Sequence, residues 1–117
     1  MWLLIYIICF CIFVSGDILS LNGNDWSLEN KNQSINIKAN VPGQIHLDLL
    51  NASIIEEPYY DYNDIDYRWI LYDTWKLTKS FKLSSDMYDK KKIRLRCDGI
   101  DTIATIILNN KTIKKVD

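Results

Sequence analysis

A chain of 117 residues has room for one domain and no more. Its 14 basic and 15 acidic residues nearly cancel, for a formal net charge of −1. That excludes the single-sign field that nucleic acid or a membrane surface requires, so neither is an expected partner.

The chain opens on WLLIYIICFCIFV, residues 2–14, an uncharged apolar run that stops at Ser15, Gly16 and Asp17. As a helix it would rise about 20 Å, too short for a hydrocarbon core of about 30 Å. The length fits the apolar region of a secretory signal peptide, with Val14, Ser15 and Gly16 before the cut. No Lys or Arg precedes the run, so the α-amino group supplies the only positive charge there. Residues 1–16 are therefore predicted to be a leader and residues 17–117 the domain. A buried N-terminal helix or an uncleaved anchor are the competing readings. Cleavage would remove Cys9 and Cys11 and leave Cys97, an odd thiol rather than a disulfide framework. Ile93, Leu95 and Cys97 alternate with Arg94, Arg96 and Asp98, so Cys97 is predicted as a small buried hydrophobe on a strand. Three sequons, at Asn32, Asn51 and Asn110, fit an exported glycoprotein.

After a turn at Asn22-Gly23-Asn24-Asp25, Trp26 begins an extended segment, and ENKNQS reads as a polar hairpin. INIKANV alternates Ile35, Ile37, Ala39 and Val41 with Asn36, Lys38 and Asn40, the period of a half-buried strand. Pro42 and Gly43 end it. QIHLDLLNAS has short helical spacing, with Ile45, Leu49 and Leu50 on one face and Leu47 off it. EEPYYDYNDIDYRWI, residues 56–70, has no clear period and reads as a long ordered excursion. DTWKLTKSFKL returns to period two, with Trp75, Leu77, Phe81 and Leu83 on one face and Lys79 the exception. KKIRLRCDG follows as a strand, after a solvated loop holding Lys90, Lys91 and Lys92. IDTIATIILNNKTI reads as a strand pair turning at Asn109, Asn110 and Lys111. About six strands and one short helix suggest an antiparallel sandwich. Asp117 falls just past a hairpin turn, so the sandwich is expected to be incomplete at its C-terminus.

Few constellations support chemistry. Asp61, Asn63 and Ile65 fail the calcium-loop pattern at the third ligand. One histidine and one remaining cysteine cannot cage zinc, so no metal or cofactor is expected. His46 would be the sole general base, and it stands beside a Pro-Gly turn. Glu56 and Glu57 are adjacent, so an extended backbone turns them apart, whereas retaining glycosidases need carboxylates about 5 Å apart. No catalytic residue is assigned. Residues 56–70 hold five aromatics, five carboxylates and one arginine. Such a set holds sugar rings, but it also builds a satellite core under a loop. Arg68 is placed to stack on a ring and pair with Asp64 or Asp66.

Taken in order, LNGNDWSL, VPGQIHLDLL, EEPYYDYNDIDYRWI, DTWKLTKSFKL and CDGIDTIATIILNNKTI resemble the N-terminal domain of the lysosomal β-mannosidases. These belong to the glycoside hydrolase family that also holds β-galactosidases and β-glucuronidases. The resemblance implies a jelly-roll, galactose-binding-like β-sandwich. It implies a parent enzyme that removes terminal non-reducing β-mannose from oligosaccharides in glycoprotein breakdown, in the lysosome or after secretion. Its partners would be the β-mannoside substrate, the remaining sandwich strands and a (β/α)₈ barrel carrying both catalytic glutamates. None of the glutamates of this chain matches those two, so the chain alone is expected to be inactive. His46, Asn63, Asp64, Asp66, Arg68, Trp69 and Trp75 are carried over as structural or interface positions. The 56–70 stretch is then expected to pack as a connection, with Arg68 held by the local aspartates and the rings covering one end of the sandwich. The alternatives are a free-standing secreted carbohydrate-binding module and a structural sandwich with no sugar function.

Overall fold

The structure, a computed structural model, describes the backbone of Leu4–Ile7 and residues 17–117 except Asp61 and Thr102. In chain order the elements are β1 (Leu4–Ile7), β2 (Ile18–Ser20), β3 (Gly23–Asn30), β4 (Asn36–Val41), α1 (Ile45–Asn51), α2 (Asn63–Asp66), α3 (Trp69–Tyr72), β5 (Trp75–Thr78), α4 (Ser85–Tyr88), β6 (Ile93–Arg96), β7 (Ala104–Leu108) and β8 (Lys111–Val116). The result is mostly β, with open sheets, as a galactose-binding-like sandwich requires. It carries more strands and more short helices than the periodicity predicts. Two compact units are formed, one of Gly23–Ser80 and one of Met1–Asn22 with Phe81–Asp117.

In the Gly23–Ser80 unit, β3 is central and antiparallel to both β4 and β5. Leu28 lies opposite Ile37 and Leu77, and Trp26 opposite Ala39. Directly paired residues share a face, so the apolar positions of all three strands form one side. Trp26, Leu28, Ala39 and Val41 on it are buried. The predicted alternation of β4 and of Trp75 and Leu77 is therefore correct. The strand does not extend to Phe81 and Leu83: pairing with β3 ends at Ser27↔Thr78, just before β3 turns irregular between Gly23 and Trp26. Lys79 ceases to be an exception. Its stem is covered, its ammonium lies 5.9 Å over the Trp26 ring, and it pairs with Asp25 at 2.6 Å.

β4 ends at Pro42 and Gly43, where a Cβ on Gly43 would run into the Asn40 carbonyl oxygen. The α1 helix follows. Its N-cap residue Gln44 makes no side-chain capping bond, so seven residues of helix rely on packing rather than local stability. Leu49 supplies that packing. It is fully buried and forms a cluster with Ile55 and Ile70, flanked by Ile35, Ile37, Ile45, Leu50, Tyr67 and Trp75. Each such buried side chain contributes about 1.5–3 kcal/mol. Leu47 faces outward, as its spacing predicts.

In the other unit, β1 lies between β2 and β6, antiparallel to each. The predicted leader thus includes a paired strand at Leu4–Ile7, and its remaining residues, with Cys9 and Cys11, lie outside the described residues. Ser85–Tyr88, a stretch without helical period in the sequence, form α4. Ser84 caps it by accepting from the Met87 N–H at 3.3 Å, and Met87 is buried. β7 and β8 form a hairpin whose turn residues Asn109 and Asn110 have φ of 49° and 62°. Two successive left-handed residues make the twist-matched hairpin turn, which asparagine tolerates without glycine. Leu95, Cys97, Ile100, Ile106, Ile113 and Val116 line an open apolar cleft of about 530 Å³. Cys97 is a free, half-buried thiol there rather than a fully buried one. Burial pushes its pKa up and the Asp98 charge adds to the shift, the opposite of an activated thiol.

Candidate functional site

The excursion from Glu56 to Trp75 has two sides. On the inner side, the Tyr67 hydroxyl accepts from the Glu56 N–H at 2.9 Å, and Asn63 Nδ2 donates to the Glu57 carbonyl at 2.9 Å. Ile70 is buried in the Leu49 cluster. Trp75 Nε1 donates to the Ile70 carbonyl at 2.9 Å, and Trp69 meets Trp75 at 6.1 Å between ring centroids, tilted by 42°. These bonds fold a segment without clear period into the single turns α2 and α3. They tie Asn63 to Glu57 and set the exposed Trp69 against the half-buried Trp75.

The outer side differs from expectation. Tyr59, Tyr60, Tyr62, Leu71 and Tyr72 are exposed, so these rings do not cover the sheet. Arg68, Asp64 and Asp66 are exposed as well. Among the described residues Arg68 forms no ion pair, so the expected clamp with Asp64 or Asp66 is absent. An exposed Arg–Asp pair contributes only about 0–1 kcal/mol against the entropy of fixing both side chains, which explains why none holds.

The other candidates stand apart from this segment. His46 is half-buried on α1, and its ring makes no hydrogen bond to another described residue, so it lacks the oriented neighbour of a general base. Glu56 and Glu57 are exposed. No group of three or more metal-ligating side chains occurs among the described residues. Asn32, Asn51 and Asn110 are all exposed.

Two buried polar residues carry weight that the sequence does not reveal. Asn30 Nδ2 donates to Ser34 Oγ at 3.0 Å and Asp73 Oδ2 at 3.2 Å, while its Oδ1 accepts from the Ile35 N–H at 2.9 Å. It ties the β3–β4 turn to the end of α3. Asp48 accepts from the Asn40 N–H at 3.1 Å and ties α1 to the end of β4. Burial pushes its carboxyl pKa up, partly offset by that N–H. Asp48 lies in a polar groove of about 630 Å³ with Trp26, Lys38, Asn40 and Asn51. Its position between Ile45 and Leu49 on the buried face of α1 is the one sequence signal that could have found it.

Comparison with known proteins agrees with this geometry. Residues 26–117 match the family model described as the glycosyl hydrolase 2 galactose-binding domain-like family. The chain is 48% identical over 99 residues to a β-mannosidase of Capra hircus, covering 85% of this chain and 11% of that protein. It is 46% identical over 99 residues to a β-mannosidase of Bos taurus, again 85% and 11%. With β-mannosidase A of Emericella nidulans the identity is 37% over 92 residues, 79% of this chain and 10% of the relative. The matches fall in the N-terminal region of these proteins, so the chain spans about a tenth of their length.

Proposed function

The chain belongs to the glycosyl hydrolase 2 galactose-binding domain-like family, and from that premise we propose that it serves as the N-terminal, non-catalytic portion of a β-mannosidase. The complete enzyme would hydrolyse terminal non-reducing β-mannose in oligosaccharide and glycoprotein breakdown. Its further sandwich strands and barrel would supply the pocket and both catalytic glutamates. The observation that carries this reading is the match across 85% of the chain to proteins named β-mannosidase.

In the same reading residues 1–16 are a secretory leader, residues 17–117 the domain, and the destination the lysosome or the medium. Exposed Asn32, Asn51 and Asn110 would carry glycans. Cleavage after Gly16 would remove β1 and leave β2 and β6 with open edges. Mass spectrometry of the secreted chain should find Asp17 at its N-terminus.

A second reading, a free-standing carbohydrate-binding module, draws on the groove holding Trp26, Lys38, Asn40, Asp48 and Asn51. Asn51 argues against it, because a glycan there would stand in the groove. Titration calorimetry with mannobiose separates the two. No heat of binding and no turnover of an aryl β-mannoside by the 117-residue chain are expected. Binding abolished by Lys38→Ala or Asn40→Ala would favour the module instead.

A further inference from the structure

We infer that the outward side of residues 59–72 is the surface on which this chain docks against the remainder of a β-mannosidase polypeptide, an inference that rests on the reading above. Tyr59, Tyr60, Leu71 and Tyr72 are 95, 72, 73 and 86% exposed, and Tyr62 is 69% exposed. Large apolar side chains left this exposed, several of them in one short segment, are the kind of surface that a covering partner buries. Tyrosine in particular supplies wide contact area and a hydroxyl for the rim.

These rings are not carried by a slack loop. The bonds Tyr67 Oη to Glu56 N, Asn63 Nδ2 to Glu57 O and Trp75 Nε1 to Ile70 O fix the backbone beneath them. Ile70 anchors the same segment in the core. A side chain projecting from a held backbone loses little freedom when it is covered, so such a surface binds at low entropic cost. Asp64, Asp66 and Arg68, from the same segment, are exposed and make no ion pair with the described residues. In the docked state they would supply the polar groups that the rim of a mostly apolar contact carries.

The occupant follows from length. The chain spans 11% of the β-mannosidases it matches, so most of such a polypeptide lies outside the matched part. A covering surface in the same polypeptide is present at high effective concentration, which favours it over a separate partner. The polar groove at Asp48 has no such exposed anchors. The apolar cleft beside Cys97 would be filled by further strands of the same sandwich, which adds nothing to the family fold.

A chimera tests the inference: the Capra hircus β-mannosidase with its 99 matched residues replaced by those of this chain. Hydroxyl-radical footprinting should show Tyr59, Tyr60, Leu71 and Tyr72 oxidised severalfold more slowly in the chimera than in the dilute 117-residue chain. Equal rates would overturn the inference. So would protection in the isolated chain that disappears on dilution, which would assign the surface to a second copy. The triple variant Tyr60→Ser, Leu71→Ser, Tyr72→Ser should lower the thermal midpoint of the chimera and leave that of the isolated chain unchanged. A fall in both would make these side chains part of the fold itself and contradict docking. Hydrolysis of an aryl β-mannoside by the chimera reports on the functional reading separately. Activity with unprotected rings removes only the docking surface, and protected rings without activity remove only the enzyme assignment.

Discussion

The side of the β3–β4–β5 sheet beneath α1 and the cleft beside β6, β7 and β8 are built from the same kinds of strand, yet only one is finished. Leu49 closes the first and is fully buried. Its neighbours Ile55 and Ile70 come from the loop and excursion that follow α1. In the second, Ile106 is buried, but Ile113 remains exposed and the lining encloses open space. Alternating strands alone do not make a core. A covering element does, and for the first sheet the 45–70 segment supplies it.

Substitutions should reproduce that contrast. Leu49→Ala should cost about 2–5 kcal/mol in chemical denaturation, the range for deleting a buried leucine side chain that several neighbours touch. Ile113→Ala, on the open side, should stay within about 0.5 kcal/mol, the ordinary range for surface changes. Equal losses would erase the difference between the two regions. Next in size, Asn30→Ala strands the Ile35 N–H and frees Asp73, and should cost about 1–3 kcal/mol.

Smaller effects follow from charge. The Asp48 pKa is raised in the folded state, so its contribution to stability is fully present below the ordinary carboxylate pKa. That contribution declines as the pH rises through the folded value. Asp48→Asn keeps an acceptor for the Asn40 N–H and should flatten that slope without loss at neutral pH. Urea denaturation at several pH values measures it, and a steeper slope in the variant would contradict the account. Asp25 has the opposite sign. The hydrogen bond from Lys79 lowers its pKa, so its contribution is present above the ordinary carboxylate value and fades as the pH falls through the folded one. Lys79→Met keeps the packing over Trp26 and removes the ion pair. Its effect should be the smallest of the set, and high salt should abolish the difference from the parent chain.

The apolar face of the sheet was legible in the sequence because period two survives in β4 and in Trp75 and Leu77. The α1 helix was legible from Ile45, Leu49 and Leu50. Asn30 and Asp48 were not, because a polar side chain is buried only when a partner elsewhere satisfies it. Those partners, Asp73 and Asn40, are set by the fold rather than by local spacing. The α2 and α3 turns escaped notice because four-residue helices show no period. The composition of residues 56–70 was equally compatible with rings turned inward or outward. Its backbone bonds decide that Tyr67 and Ile70 go in and that Tyr59, Tyr60 and Tyr62 face out. Composition alone left a sugar site and a satellite core both open. The geometry makes the segment a held platform, and it lies within residues 26–117, which match the glycosyl hydrolase 2 galactose-binding domain-like family.

The most direct test of that account is the rate of aryl β-mannoside hydrolysis by the chimera, measured beside the 117-residue chain alone. The account predicts turnover by the chimera and none by the isolated chain. A folded, secreted but inactive chimera would contradict it, as would turnover by the isolated chain that Glu56→Gln or Glu57→Gln abolishes.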